Sequence, residues 1–143
     1  MKRNFSVVHL IVGILSIILD APIALLSLGR NMYTGLYSSA SPDLKSLASA
    51  EGFFILFVGI AAVFCFVNLT LRKRILTILS MVFYVISLFA LPYYNYLNSQ
   101  LGWHPAYTDY TSPTTIYFGM VVVSIFLISL IISFIYNFKK YRK

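Results

Sequence analysis

Four apolar blocks dominate the chain, each close to the ~20 residues a helix needs to cross ~30 Å of hydrocarbon. They run from about Phe5 to Leu28, Gly52 to Leu71, Ile75 to Tyr94 and Thr115 to Tyr136. In hydrocarbon a backbone must satisfy its own hydrogen bonds, and the alternating ten-residue segments that a barrel requires are missing. The expected fold is therefore an all-α membrane protein: one four-helix bundle over residues 1–143 with little or no β-structure. Composition agrees, since 59% of the 143 residues are hydrophobic and 10% charged, against about 25% charged in soluble domains. Such a chain is neither a soluble domain nor disordered, and its single cysteine excludes a disulfide scaffold.

Lysine and arginine set the expected orientation. Lys2 and Arg3 precede the first block, Arg72, Lys73 and Arg74 separate the second from the third, and Lys139, Lys140, Arg142 and Lys143 follow the fourth, so nine of the eleven lie on one side. The positive-inside rule then predicts both termini, the turn 72–74 and the tail 137–143 in the cytoplasm of a multi-pass cell-membrane protein. Segments 29–51 and 95–114 become outer loops, with Arg30 and Lys45 their only basic residues. The high pI thus reports topology, and nucleic acid is not an expected partner, because the cations flank membrane spans. Lys2 and Arg3 before an apolar run also fit a signal peptide processed near Ser27 or Gly29, but the block is longer than a usual signal core, which favours a retained helix.

Ser41-Pro42-Asp43-Leu44 has the grammar of a helix start: a serine cap, proline in the first turn and an acid at the positive end of the dipole. Leu44, Leu47, Ala48 and Glu51 then share one face, so a helix from about Pro42 to Leu71, about 45 Å long, would extend beyond the membrane before the second span. About 13 residues, Gly29 to Ser41, remain irregular. The second outer loop has no lysine or arginine and gathers Trp103, Tyr107 and Tyr110 near Tyr93, Tyr94 and Tyr96. Two readings stand for these rings: an aromatic belt at the headgroup level, or a recognition surface of rigid amphipathic side chains. Tyr107 and Tyr110, furthest from the spans, distinguish them.

Met32-Tyr33-Thr34-Gly35-Leu36-Tyr37 resembles the Gly-Leu-Trp signature in the first outer loop of the claudin and peripheral-myelin-protein superfamily, with Tyr37 in place of tryptophan. Trp103-His104 followed by Thr108-Asp109-Tyr110 is similar to a segment of the myelin-protein branch, and Ile116-Tyr117-Phe118-Gly119 to the claudin entry into the fourth helix. The resemblance implies four helices, cytoplasmic termini, a helical extension before the second span and a role in adhesion or accessory contacts. Ser38 and Ser39 follow the motif where the family pattern has a cysteine pair, and Cys65 lies in the second span, so no outer disulfide is implied.

Asp20 is the most informative single residue. It lies about 20 Å along the first helix from Val7 and so in the outer half of the expected span, and a charge at mid-membrane costs at least ~2.5 kcal/mol. Pro22 removes a helical hydrogen bond beside it, so a kink with local polarity is expected. Asp20 is either a proton- or cation-binding carboxylate facing the bundle interior or a structural brace hydrogen-bonded across the kink, and no basic residue lies deep enough to promise a buried ion pair, although Arg30 can approach from the outer end. His9 reads as interfacial. His104 and Asp109 are two candidate ligands where zinc needs three or four, so no metal site is expected.

Paired carboxylates, phosphate loops and Cys-x-x-Cys pairs are missing, and neither an enzyme nor a cofactor is expected. Gly52 and Gly59, Ser80 and Ser87, and Ser129 and Ser133 sit at spacings that let helices approach, within the monomer or in a dimer. Asn68-Leu69-Thr70 has a glycosylation pattern but lies at the cytoplasmic end. The basic tail suits anionic lipid. The leading functional expectation is an accessory, adhesion or protective subunit that binds another membrane protein, itself or lipid, with Tyr33, Gly35, Leu36, Tyr37, Glu51, Trp103, His104, Tyr107, Asp109 and Tyr110 as contacts. The alternative is a small proton- or cation-coupled transporter using Asp20.

Overall fold

Glycine and proline are sparse in the apolar blocks, so each continues as a helix until a polar turn or a proline interrupts it. In the computed structural model, which describes residues 5–36, 42–101 and 114–140, the elements are α1 (Phe5–Leu36), α2 (Pro42–Leu71), α3 (Arg74–Ser87), α4 (Ala90–Leu101) and α5 (Thr114–Tyr136), followed by a 3-10 turn over Phe138–Lys140. No strand occurs among the described residues. Four helical stretches are long and apolar enough to cross a membrane: Val7–Met32, Leu47–Leu71, Arg74–Leu97 and Thr114–Tyr136. The protein is accordingly an all-helical, multi-pass membrane protein.

Three boundaries differ from the sequence reading. The first helix does not stop at Leu28 but continues to Leu36, so the polar run Gly29-Arg30-Asn31, expected as loop, is helical. The reason is electrostatic: Arg30 is neutralised by Glu51 across the helix pair. Asp20 is then close to the midpoint of the apolar stretch Val7–Met32 rather than in its outer half. The third block is two helices, interrupted at Leu88 and Phe89, whose N–H groups bond the carbonyls of Val85 and Ile86 three residues back. Pro92 causes this, since it has no N–H for the Leu88 carbonyl and its ring crowds that oxygen. Finally, residues 95–101, expected in the second outer loop, belong to α4. Pro22, by contrast, leaves α1 a single helix.

The longest helix pair, α1 against α2, forms the principal interface, and α2 also backs onto α3 and α4 while α5 closes the bundle against α1 and α3. Val12, Leu19, Phe54, Val58, Ala61, Tyr84, Val123 and Leu130 make up much of the core. Close approach is permitted at two glycines: a Cβ on Gly13 would stand 2.9 Å from the Phe66 ring, and one on Gly119 2.6 Å from the Phe54 ring. Of the small residues marked by spacing, Ser80, Ser87 and Ser133 are buried, whereas Gly52 faces open space. Rings of Phe53, Phe57 and Phe64 on α2 pack against Phe83 and Tyr93, which bridges the α3–α4 interruption. Leu25, Phe118, Val121 and Ile135 point outward, an apolar exterior suited to lipid tails. The start of α1, the α2–α3 connection and the end of α5 share one end of the bundle, where His9 meets Thr77 and Arg74 meets Phe138.

Candidate functional site: a polar seam inside the bundle

One face of α1 carries His9, Ser16, Asp20, Ser27 and Arg30, spaced by seven, four, seven and three residues. These intervals keep a side chain on one stripe of an α-helix, and the stripe faces inward. The other helices answer it with polar groups of their own, so layers of hydrogen bonds recur along the bundle and break at Asp20.

At the end that holds the α2–α3 connection, three neutral side chains from three helices form a clamp. Asn68 Nδ2 donates to Thr77 Oγ1 at 2.6 Å and approaches His9 Nε2 at 3.2 Å, while Thr77 Oγ1 lies 3.1 Å from the same ring nitrogen. With donors on both sides Nε2 is the acceptor, an arrangement that suits the Nδ1–H tautomer. Asn68 Oδ1 accepts the Lys73 backbone N–H at 2.8 Å, which fixes the turn between α2 and α3. All three side chains are fully buried. His9 is thus an interior residue and not the interfacial one its position suggested: Asn68 and Thr77 satisfy it where water was expected to.

One layer further in, Ser80 donates to the Ala61 carbonyl at 2.9 Å and lies 3.0 Å from Cys65 Sγ. Ser16 donates to the Val12 carbonyl at 2.7 Å, which leaves the Tyr84 hydroxyl to donate to Ser16 Oγ across 2.5 Å. Both are ordinary bundle glue.

Asp20, one turn beyond Ser16, is the exception. Its Oδ1 is buried and has no hydrogen-bond partner. Gly59 on α2 faces the carboxyl; a Cβ there would stand 3.7 Å from Oδ2. No hydroxyl or backbone donor holds the Oδ1 atom.

The other end is closed by charge. Arg30 Nη1 meets Glu51 Oε1 at 2.7 Å, and Thr115 Oγ1 donates to Glu51 Oε2 at 3.2 Å, so α1, α2 and α5 are tied at one carboxylate. Glu51 is 0% exposed and Arg30 about a fifth. The expectation of Glu51 as an outer contact therefore needs correcting: its carboxylate is consumed inside the bundle. Just inward, Ser27 donates to the Ala48 carbonyl at 2.9 Å.

Tyr33, Gly35 and Leu36 lie in the last turns of α1. Tyr37, Trp103, His104, Tyr107, Asp109 and Tyr110 fall outside the described residues. Among the described residues no three His, Cys, Asp or Glu side chains converge as a metal set.

Chemically, the seam consists of two closed three-helix clamps with one carboxyl of unused hydrogen-bonding capacity between them. The separations along α1 are about 17 Å from the His9 layer to Asp20 and about 15 Å from Asp20 to the Arg30 layer. Asn68, Thr77, Tyr84 and Thr115 were not foreseen as partners, and Arg30, considered as a group that could approach Asp20, pairs with Glu51 instead. The stripe on α1 was the available signal, since five polar residues at helical spacing in an apolar block require interior partners.

Fold and seam together define a four-span helical membrane protein with a polar interior. No family model, curated protein or solved structure matches the chain significantly.

Proposed function

We propose that the protein is a small proton- or cation-coupled membrane transporter, non-enzymatic, with Asp20 as the loading carboxylate and both termini in the cytoplasm. The observation that carries this reading is the Asp20 Oδ1 atom, the one buried side-chain acceptor among the described residues without a hydrogen bond. Intramembrane acids are costly and mark ion pathways and proton relays when they face a bundle interior. Every other seam group is matched within the seam, so Asp20 alone has capacity to take a proton or bind a cation. A bound proton makes the group neutral; its loss leaves a charge that draws a cation or the nearby hydroxyls. The clamps at His9 and at Arg30 bracket the carboxyl, as a two-sided access mechanism needs. The nine cations that flank one end of the spans support the cytoplasmic placement of that end.

A second reading keeps the protein as an accessory or adhesion subunit of claudin-like plan. It is favoured by the tyrosine- and tryptophan-rich segment at Trp103, Tyr107 and Tyr110, which carries no lysine or arginine. Here the first turns of α2, from Pro42, project beyond the membrane.

Vesicles separate the two. Protein reconstituted in sealed liposomes with a lumenal pH dye is challenged with a pH gradient in the presence of Na⁺, K⁺ or Li⁺ in turn. Proton movement with at least one cation, abolished by Asp20→Asn and untouched by Tyr107→Ala with Tyr110→Ala, is expected. Gradients that persist with wild-type protein, together with a copurifying membrane partner lost in the tyrosine variant, favour the second reading.

A further inference from the structure

We infer that the end of the bundle bearing the α2–α3 connection is a headgroup site for an anionic phospholipid, independent of what Asp20 does. Arg72 and Lys73 are exposed between α2 and α3, and Lys139 is exposed just after α5. These two segments are far apart in sequence and are brought together by Arg74, whose guanidinium carbon lies 3.6 Å from the centre of the Phe138 ring. Arg74 also donates from Nη2 to the Phe138 carbonyl at 3.5 Å. The stack holds one cation in place and aligns the turn with the chain end.

Among the described residues no acid answers this charge. The four acids of the chain are Asp20, Asp43, Glu51 and Asp109. Asp43 begins the helix that Leu71 ends, about 42 Å away along its axis; Glu51 is committed to Arg30 and Thr115; Asp20 is in mid-seam, and Asp109 lies outside the described residues. The cations also crowd the positive end of the α3 dipole, where Lys73 is the N-cap, no side chain caps the helix and no acid occupies the first turn. Anions, not cations, belong there. A phosphate answers all of these features.

The walls beside the cluster identify the phosphate as a lipid's. Leu71, Ile75, Ile135 and Phe138 are exposed below the charged rim, Ile135 at 65%. Acyl chains along these side chains place a headgroup level with Arg72, Lys73 and Lys139, and basic residues at that level attract anionic lipid.

The test uses the whole protein in phosphatidylcholine bilayers, with spin-labelled phosphatidylglycerol or spin-labelled phosphatidylcholine as reporter and the motionally restricted fraction read by electron paramagnetic resonance. The wild type is expected to prefer phosphatidylglycerol by about fivefold or more, equivalent to about 1 kcal/mol in total, which is the contribution of a single basic residue near an anionic surface. The triple variant Arg72→Gln, Lys73→Gln, Lys139→Gln, built only on exposed side chains and retaining the Arg74–Phe138 stack, is expected to lose that preference, and Lys45→Gln to keep it. Equal restriction of both lipids by the wild type overturns the inference, as does a preference that survives the triple variant. Loss of the preference when inorganic phosphate replaces chloride at equal ionic strength assigns the site to a free anion and also overturns it.

Discussion

The two clamps that close the seam are built from different chemistry. At one end His9, Asn68 and Thr77 lock three helices with neutral hydrogen bonds; at the other Arg30, Glu51 and Thr115 do so through an ion pair. A neutral network loses its members one at a time, because each group left behind retains other partners. A buried carboxylate behaves as a unit with its counter-charge, and removing the counter-charge strands it. The end with the ion pair should thus be the stiffer and the more abruptly broken of the two.

The largest effect follows from removing Arg30. Arg30→Met leaves the fully buried Glu51 carboxylate with Thr115 alone, a loss of about 3–5 kcal/mol. Glu51→Gln should cost less, since Arg30 is part-exposed and its long side chain can carry the charge outward. The double variant Arg30→Met with Glu51→Leu should recover most of the stability, because no charge then remains to be desolvated. Unfolding midpoints in mixed micelles with rising dodecyl sulfate rank the three. Equal losses for the two single variants would show that burial of Glu51 does not set the strength of this clamp.

At the neutral end the effect is smaller. Asn68→Leu removes a donor to His9 and Thr77 and the acceptor for Lys73 N–H, and should cost about 1–3 kcal/mol. The same midpoint measurement checks it, and amide exchange at Lys73 should accelerate as the turn loses its anchor. A cost as large as that of Arg30→Met would erase the contrast between the clamps.

How much of this was legible in the sequence depended on whether a feature was local. The helix start at Pro42 and the positions of the four apolar stretches follow from caps, hydropathy and charge, all read within a few residues. The extension of α1 past Gly29 was not, because its cause is Glu51, 21 residues away. Pro92 was visible, but α3 and α4 read as one block because hydropathy does not register a missing N–H. In the seam, Asp20 stood out as an acid in an apolar run. His9 was misplaced, since its burial depends on Asn68 and Thr77, 59 and 68 residues on. Asn68 itself drew notice only as part of a glycosylation pattern.

The smallest expected change in stability belongs to Asp20, which lies between the clamps, and it discriminates most sharply between a brace and a working group. A brace gains stability from its hydrogen bonds, so Asp20→Asn in that role would destabilise by about 1 kcal/mol or more. The Oδ1 atom has no bond to lose, and amide replacement removes any charge from mid-span, where charge costs at least ~2.5 kcal/mol. Asp20→Asn should therefore leave the unfolding midpoint unchanged or raise it, even as proton movement into vesicles ceases. That pairing of intact or improved stability with lost function is what a residue kept at an energetic disadvantage for its chemistry produces. A lowered midpoint with transport unaffected would return Asp20 to the scaffold and leave the seam as helix packing alone.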